Sequence, residues 1–94
     1  VTGTRILIAV GTVPHRPDTI PFDDMHVVDS DRIVEMPRVP RSLAVIGAGV
    51  IGIEYATIFS ALDVPVTLIE PRETFLDFID REIIDEFIHD LRDR

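Results

Sequence analysis

Residues 41–70 read RSLAVIGAGVIGIEYATIFSALDVPVTLIE, and the run Gly47-Ala48-Gly49-Val50-Ile51-Gly52 inside them decides the fold. Ahead of the glycines, Arg41 to Ile46 is a short segment whose apolar end runs directly into the turn, the pattern of a buried strand. Beyond them, from Val50 to Leu62, the residues Ile51, Tyr55, Ile58, Phe59 and Leu62 recur at helical spacing and predict one apolar stripe. Glu54, Thr57 and Ala61 take the outer side of that helix. Asp63 marks its end, and Pro65 to Glu70, with β-branched Val66, Thr67 and Ile69, reads as the next strand. Strand, tight turn, helix and strand within about 30 residues make one βαβ unit, with parallel strands and a right-handed crossover.

The glycine turn carries chemistry as well as shape. The first amides of a helix have no intrahelical partner, and the aligned peptide dipoles place about half a positive charge there, so the helix start suits a diphosphate. In G-x-G-x-x-G, Gly47 permits the sharp exit from the strand, Gly49 keeps a Cβ out of the diphosphate's path, and Gly52 lets helix and strands pack closely. An acid about 20 residues further on, at the end of the second strand, is the partner for the adenine ribose, and Glu70 stands there. The expected fold class is therefore α/β, a Rossmann-like βαβ unit binding NAD(H) or NADP(H) through Gly47, Ala48, Gly49, Val50, Ile51, Gly52 and Glu70. Glu70 favours NAD because its charge repels a 2′-phosphate. Arg72, two residues on, can either pair with a 2′-phosphate or neutralise Glu70, which leaves both dinucleotides open.

Composition narrows the rest. Hydrophobic residues are 46% of the 94 and charged ones 28%, the balance of a folded domain rather than a disordered tail. Acids outnumber bases by 17 to 9, for a net charge of -8, which argues against nucleic acid. There is no cysteine, so a disulfide, a thiolate zinc site and a local redox dithiol are excluded. No apolar run approaches the roughly 20 residues of a membrane span, and a cytoplasmic location is expected. His15, His26 and His89 read as solvent-facing or structural, and no general acid or base stands out. The acids Asp77, Asp80, Glu82, Asp85 and Glu86 fit helix-cap and solvated-face roles better than a metal site.

On either side of the central unit, Arg5 to Val10 (RILIAV) reads as a buried strand ending at Gly11. Pro14, Pro17 and Pro21 then impose an ordered loop. Ser30 and Asp31 are candidate caps for a brief helical turn that Pro37 closes. At the other end, Asp80 caps a last helix with Ile83, Ile84, Phe87, Ile88 and Leu91 along one face. The chain begins at Val1 and stops at Arg94 within a helix-like pattern, and reads as a piece of something longer.

With these parts set out, the chain resembles the flavoprotein pyridine nucleotide-disulfide oxidoreductase family. The stretch Ile6 to Pro14, ILIAVGTVP, is similar to the strand and A-T-G-x-x-P that end the family's FAD domain, with Val10 where threonine is usual. GAGVIGIEYATIF is similar to its second fingerprint, with Glu54 just after the third glycine, and Ser30 and Asp31 resemble its Ser-Asp connection. Across residues 29–80 the likeness is to members that pass hydride between NADPH and NAD by way of FAD. The resemblance implies that residues 1–13 close the FAD domain, 14–40 link, and 41–94 begin the NAD(P) domain. It also implies that Gly11 approaches FAD, that Glu54 lies near nicotinamide and flavin, and that Val50 replaces a tyrosine lid found in some relatives.

Three alternatives accompany this reading: a lipoamide dehydrogenase-like disulfide reductase, a non-catalytic dinucleotide-sensing module, and an S-adenosylmethionine methyltransferase. No catalytic or metal-ligating residue is assigned within these 94 residues, and the piece alone is expected to be inactive. An unpaired sheet edge and an uncovered helix face predict self-association, and the parent is expected to be a homo-oligomer.

Overall fold

A computed structural model describes residues 1–72, 76 and 79–92 of the chain. Two units are distinguished, Val1–Pro37 and Arg38–Arg94.

In the second unit, strand β1 is Leu43–Ile46, helix α1 is Val50–Ala61, strand β2 is Val66–Ile69 and helix α2 is Arg81–Arg92. The strands pair in parallel, Leu43 opposite Val66 and Ile46 opposite Ile69. The pairing continues at both ends, where the Leu43 N–H donates to the Pro65 carbonyl at 2.9 Å and the Gly47 N–H to the Ile69 carbonyl at 2.8 Å. The last of these ties the glycine turn to the end of β2. The unit is therefore α/β, a partial Rossmann-like βαβ with both strands leading to one edge.

One face of the sheet is covered by α1. Leu43, Val45, Val66 and Leu68 are half-buried on that face, while Ala44, Ile46, Thr67 and Ile69 on the other are exposed. The face of α1 that meets the sheet is not the one its spacing predicts. Ile53 and Ala56 are buried, whereas Ile51, Ile58 and Leu62 of the expected stripe are each about half exposed. Steric fit explains the difference. A Cβ on Gly52 would lie 2.0 Å from the Gly47 carbonyl oxygen, so only the face carrying Gly52 can approach the strand this closely. The helix has apolar residues all round, so periodicity alone does not choose its inner side.

The end of α1 closes as a Schellman turn. Asp63 takes a left-handed φ of 60°, its N–H donates to the Ser60 carbonyl at 3.0 Å, and the Val64 N–H donates to the Phe59 carbonyl at 3.1 Å. Val64 is then buried as the chain turns into β2. Helix α2 begins at Asp80 as expected: its carboxylate accepts the Glu82 N–H at 3.0 Å and its carbonyl accepts the Ile84 N–H at 3.1 Å. Among the described residues, packing between elements is confined to β1, α1 and β2. Asp77 of the acidic series lies outside the described residues.

The first unit corrects two expectations. Residues 5–10 form no strand, and Leu7 and Val10 are about nine-tenths exposed. A strand exists only within a ladder, and among the described residues no segment pairs with this one. The N-cap position of the short 3-10 helix Ile33–Glu35 is Arg32 rather than Ser30 or Asp31, and Asp29 shapes the turn before it. Asp29 Oδ1 accepts the N–H groups of Asp31 and Arg32, each at 3.0 Å, an Asx-type turn that satisfies the amides two and three residues ahead.

The loop between is organised by charge. Asp23 Oδ1 accepts three backbone amides, from Met25, His26 and Val27, which hold its carboxyl well below the usual carboxylate range. The Arg16 guanidinium donates to Asp24 at 2.5 Å and Asp29 at 2.6 Å while lying over the Phe22 ring. Nothing in the spacing of these residues announces the cluster, which lies around the turns closed by the Ile20 N–H on the Pro17 carbonyl and the Asp23 N–H on the Val27 carbonyl.

Candidate functional site

The site begins where β1 stops. Gly47 adopts a φ of +104°, a left-handed value that side chains rarely tolerate, and turns the chain back toward β2. Ala48 is completely buried in the turn, and its N–H donates to Glu70 Oε2 at 2.8 Å. Gly49 is the N-cap of α1, and the first intrahelical bond runs from the Ile53 N–H to the Gly49 carbonyl at 3.0 Å. The amides of Val50, Ile51 and Gly52 precede that bond. Among the described residues no side chain caps this helix start, and its first turn holds no acid.

The three glycines of the turn are glycine for different reasons. Backbone conformation requires it at Gly47. Contact requires it at Gly52, where an added Cβ would strike the Gly47 carbonyl. Gly49 has neither reason. Its φ of -75° suits any residue, and a Cβ there would meet nothing within 4 Å. The open space beside Gly49 lies at the uncapped end of α1, where a diphosphate would need it.

Glu70 follows β2 directly and closes the other side of the turn. Its carboxylate bridges two elements, since Oε2 accepts from Ala48 and both oxygens accept from Arg72. Arg72 Nε donates to Oε1 and Nη2 to Oε2, each at 2.8 Å, and the Arg72 backbone N–H reaches Oε1 at 2.9 Å. This bidentate fork, with the Ala48 and Arg72 amides, holds the Glu70 carboxyl at about 2. The Glu70 side chain is only 10% exposed, whereas that of Arg72 is 60% exposed.

The fold thus brings together Gly47 to Gly52, Glu70 and Arg72. Glu54 lies one turn into α1 and is exposed. Gly11 belongs to the first unit, where it has a left-handed φ of +73°. Sequence reasoning did not foresee that Ala48 spends its amide on Glu70. The only trace in the chain was their separation, the same strand-to-acid spacing that suggested a ribose contact. Of the two roles open to Arg72, the geometry has it paired with Glu70.

Both strands deliver their following residues to one edge, where a glycine turn opens a helix and an acid ends the neighbouring strand, the arrangement of a Rossmann-like α/β nucleotide unit. A family profile of pyridine nucleotide-disulphide oxidoreductases matches residues 1–94, and the chain belongs to that family. It is 50% identical over 93 residues to a soluble pyridine nucleotide transhydrogenase of Mycobacterium bovis, covering 99% of this chain and 20% of that protein. A protein of the same name from Colwellia psychrerythraea is 45% identical over 91 residues, 97% of this chain and 20% of that protein. Another from Pseudomonas paraeruginosa is 48% identical over 88 residues, 94% of this chain and 19% of that protein. The chain spans about a fifth of the length of the curated relatives it matches. Among the described residues, no helix is long and apolar enough to cross a membrane.

Proposed function

We propose that this chain is the nucleotide-receiving part of a flavoprotein that transfers hydride between NADPH and NAD through FAD. In this reading residues 41–94 open the NAD(P) domain, 14–40 link, and 1–13 end the FAD domain with Gly11 near the flavin. The observation that carries it is Gly49, a glycine that neither conformation nor packing within the chain requires, beside an uncapped helix start. The names of the relatives point to the same chemistry.

The roles of the residues follow from their chemistry. The amides of Val50, Ile51 and Gly52 receive the diphosphate, and Gly47 and Gly52 hold the turn that aims them. Glu70 and Arg72 meet the adenine ribose, and Glu54 orients the nicotinamide end. Bound FAD supplies the hydride acceptor and donor. The chain's own task is orientation and exclusion of water, for hydride transfer needs alignment more than a proton donor. No acid or base need be supplied from these residues.

The test has two parts. Calorimetric titration of the chain with NAD+, NADP+ and S-adenosylmethionine is expected to give tighter binding of a dinucleotide, and tighter S-adenosylmethionine would overturn the reading. The whole flavoprotein is expected to reduce NAD+ with NADPH in the absence of any disulfide substrate. Failure of that exchange, with disulfide reduction in its place, would move the assignment to the reductase branch.

A further inference from the structure

A carboxylate offers about four lone-pair positions. Glu70 has filled them from within the chain, accepting from the Ala48 amide, the Arg72 amide, Arg72 Nε and Arg72 Nη2. A ribose diol that is to donate to Glu70 must therefore displace one of these donors. The two backbone amides are fixed by the turn and by the end of β2. The guanidinium is the movable pair of donors, on a side chain six-tenths exposed against one-tenth for Glu70.

We propose that the Arg72 guanidinium is an internal occupant of the adenine-ribose position, a competitor of NAD that becomes a ligand of NADP. The inference rests on the dinucleotide reading above and specifies how the site chooses between the two. When NAD docks, its 2′- and 3′-hydroxyls take the places of Nε and Nη2 on Glu70, and Arg72 swings to solvent. When NADP docks, Arg72 leaves Glu70 for the 2′-phosphate, whose geometry its planar fork matches. Glu70 stays in position in either state, because the Ala48 and Arg72 amides continue to hold it. One side chain therefore works against one dinucleotide and for the other, which lets a site ending in an acid accept both.

The discriminating experiment is calorimetric titration of the full chain and its variants with NAD+ and with NADP+. Arg72→Ala is expected to bind NAD+ about threefold more tightly, the scale of one exposed ion pair removed. The same variant is expected to bind NADP+ about tenfold more weakly, the scale of one charge-assisted bond to phosphate. Arg72→Lys keeps a point charge without the fork, so it should fall between Arg72→Ala and the unsubstituted chain toward NAD+ and stay within about threefold of the unsubstituted chain toward NADP+. A purely structural role for the pair would shift both affinities in the same direction. That result, or no change in either, would overturn the inference while leaving the dinucleotide reading intact. Absence of binding of both dinucleotides to the unsubstituted chain would overturn that reading and this inference with it.

Discussion

The two α-helices of the second unit start in opposite ways. Helix α2 is closed by its own acids: Asp80 accepts the Glu82 amide, and Glu82 itself sits in the first turn against the positive end of the helix. Helix α1 starts at Gly49 with no side-chain cap and no acid in its first turn. The chain is not short of carboxylates, with 17 of them. Glu70, brought from the end of β2, reaches the turn before α1, and it is tied to Ala48 and neutralised by Arg72 rather than turned on the first helical amides. A helix that needs only to be stable supplies its own anion. One that is to receive an anion leaves the position clear, and that difference separates a structural helix start from a binding one.

The largest effect is expected from Gly52→Ala, whose Cβ would meet the Gly47 carbonyl at 2.0 Å and force α1 away from β1. Loss of about 3 kcal/mol or more is expected in denaturant unfolding, and a small loss would mean that the close approach does not hold the turn. Removing the α2 cap with Asp80→Ala should cost about 1 kcal/mol, read as faster hydrogen exchange of the first α2 amides. Dinucleotide affinity should not change, because this helix start has no part in the site.

A smaller effect, screened by solvent, concerns the borrowed acid. The Glu70 carboxyl lies at about 2 in the fold against an ordinary 4.5, so on acidification the unfolded chain takes up this proton first. The stability Glu70 contributes is fully present above 4.5 and is lost as the pH falls from there toward about 2. Thermal unfolding across that interval should fall less steeply for Glu70→Gln than for the unsubstituted chain. Parallel curves would mean that the Arg72 and Ala48 bonds contribute nothing to folding.

Much of the second unit was legible in the sequence because its signals are local. Strand β1 was expected over Arg41 to Ile46 and runs Leu43–Ile46, and α1 was expected over Val50 to Leu62 and runs Val50–Ala61. The glycines, the strand-ending acid and the Asp80 cap are read from neighbours a few residues away. What escaped depends on partners far along the chain or on fit in three dimensions. The inner face of α1 is chosen by the clearance at Gly52, which hydrophobic spacing does not encode. The apolar run at residues 5–10 has the composition of a strand, but composition supplies no hydrogen-bonding neighbour. Arg16, Asp24 and Asp29 meet only because the loop reverses, and the Glu70 bond to Ala48 spans 22 residues.

If Gly49 is glycine for the sake of a bound diphosphate, filling its place must cost binding and not folding. Gly49→Asp would give α1 the kind of cap that α2 already has. The measurement is dinucleotide affinity by calorimetry, with thermal unfolding of the same sample alongside. The expected result is a fold at least as stable as before, by a few tenths of a kcal/mol, with NAD+ and NADP+ affinity reduced about a hundredfold or more. Undiminished affinity in a folded Gly49→Asp chain would contradict it, for the space beside Gly49 would then serve no ligand.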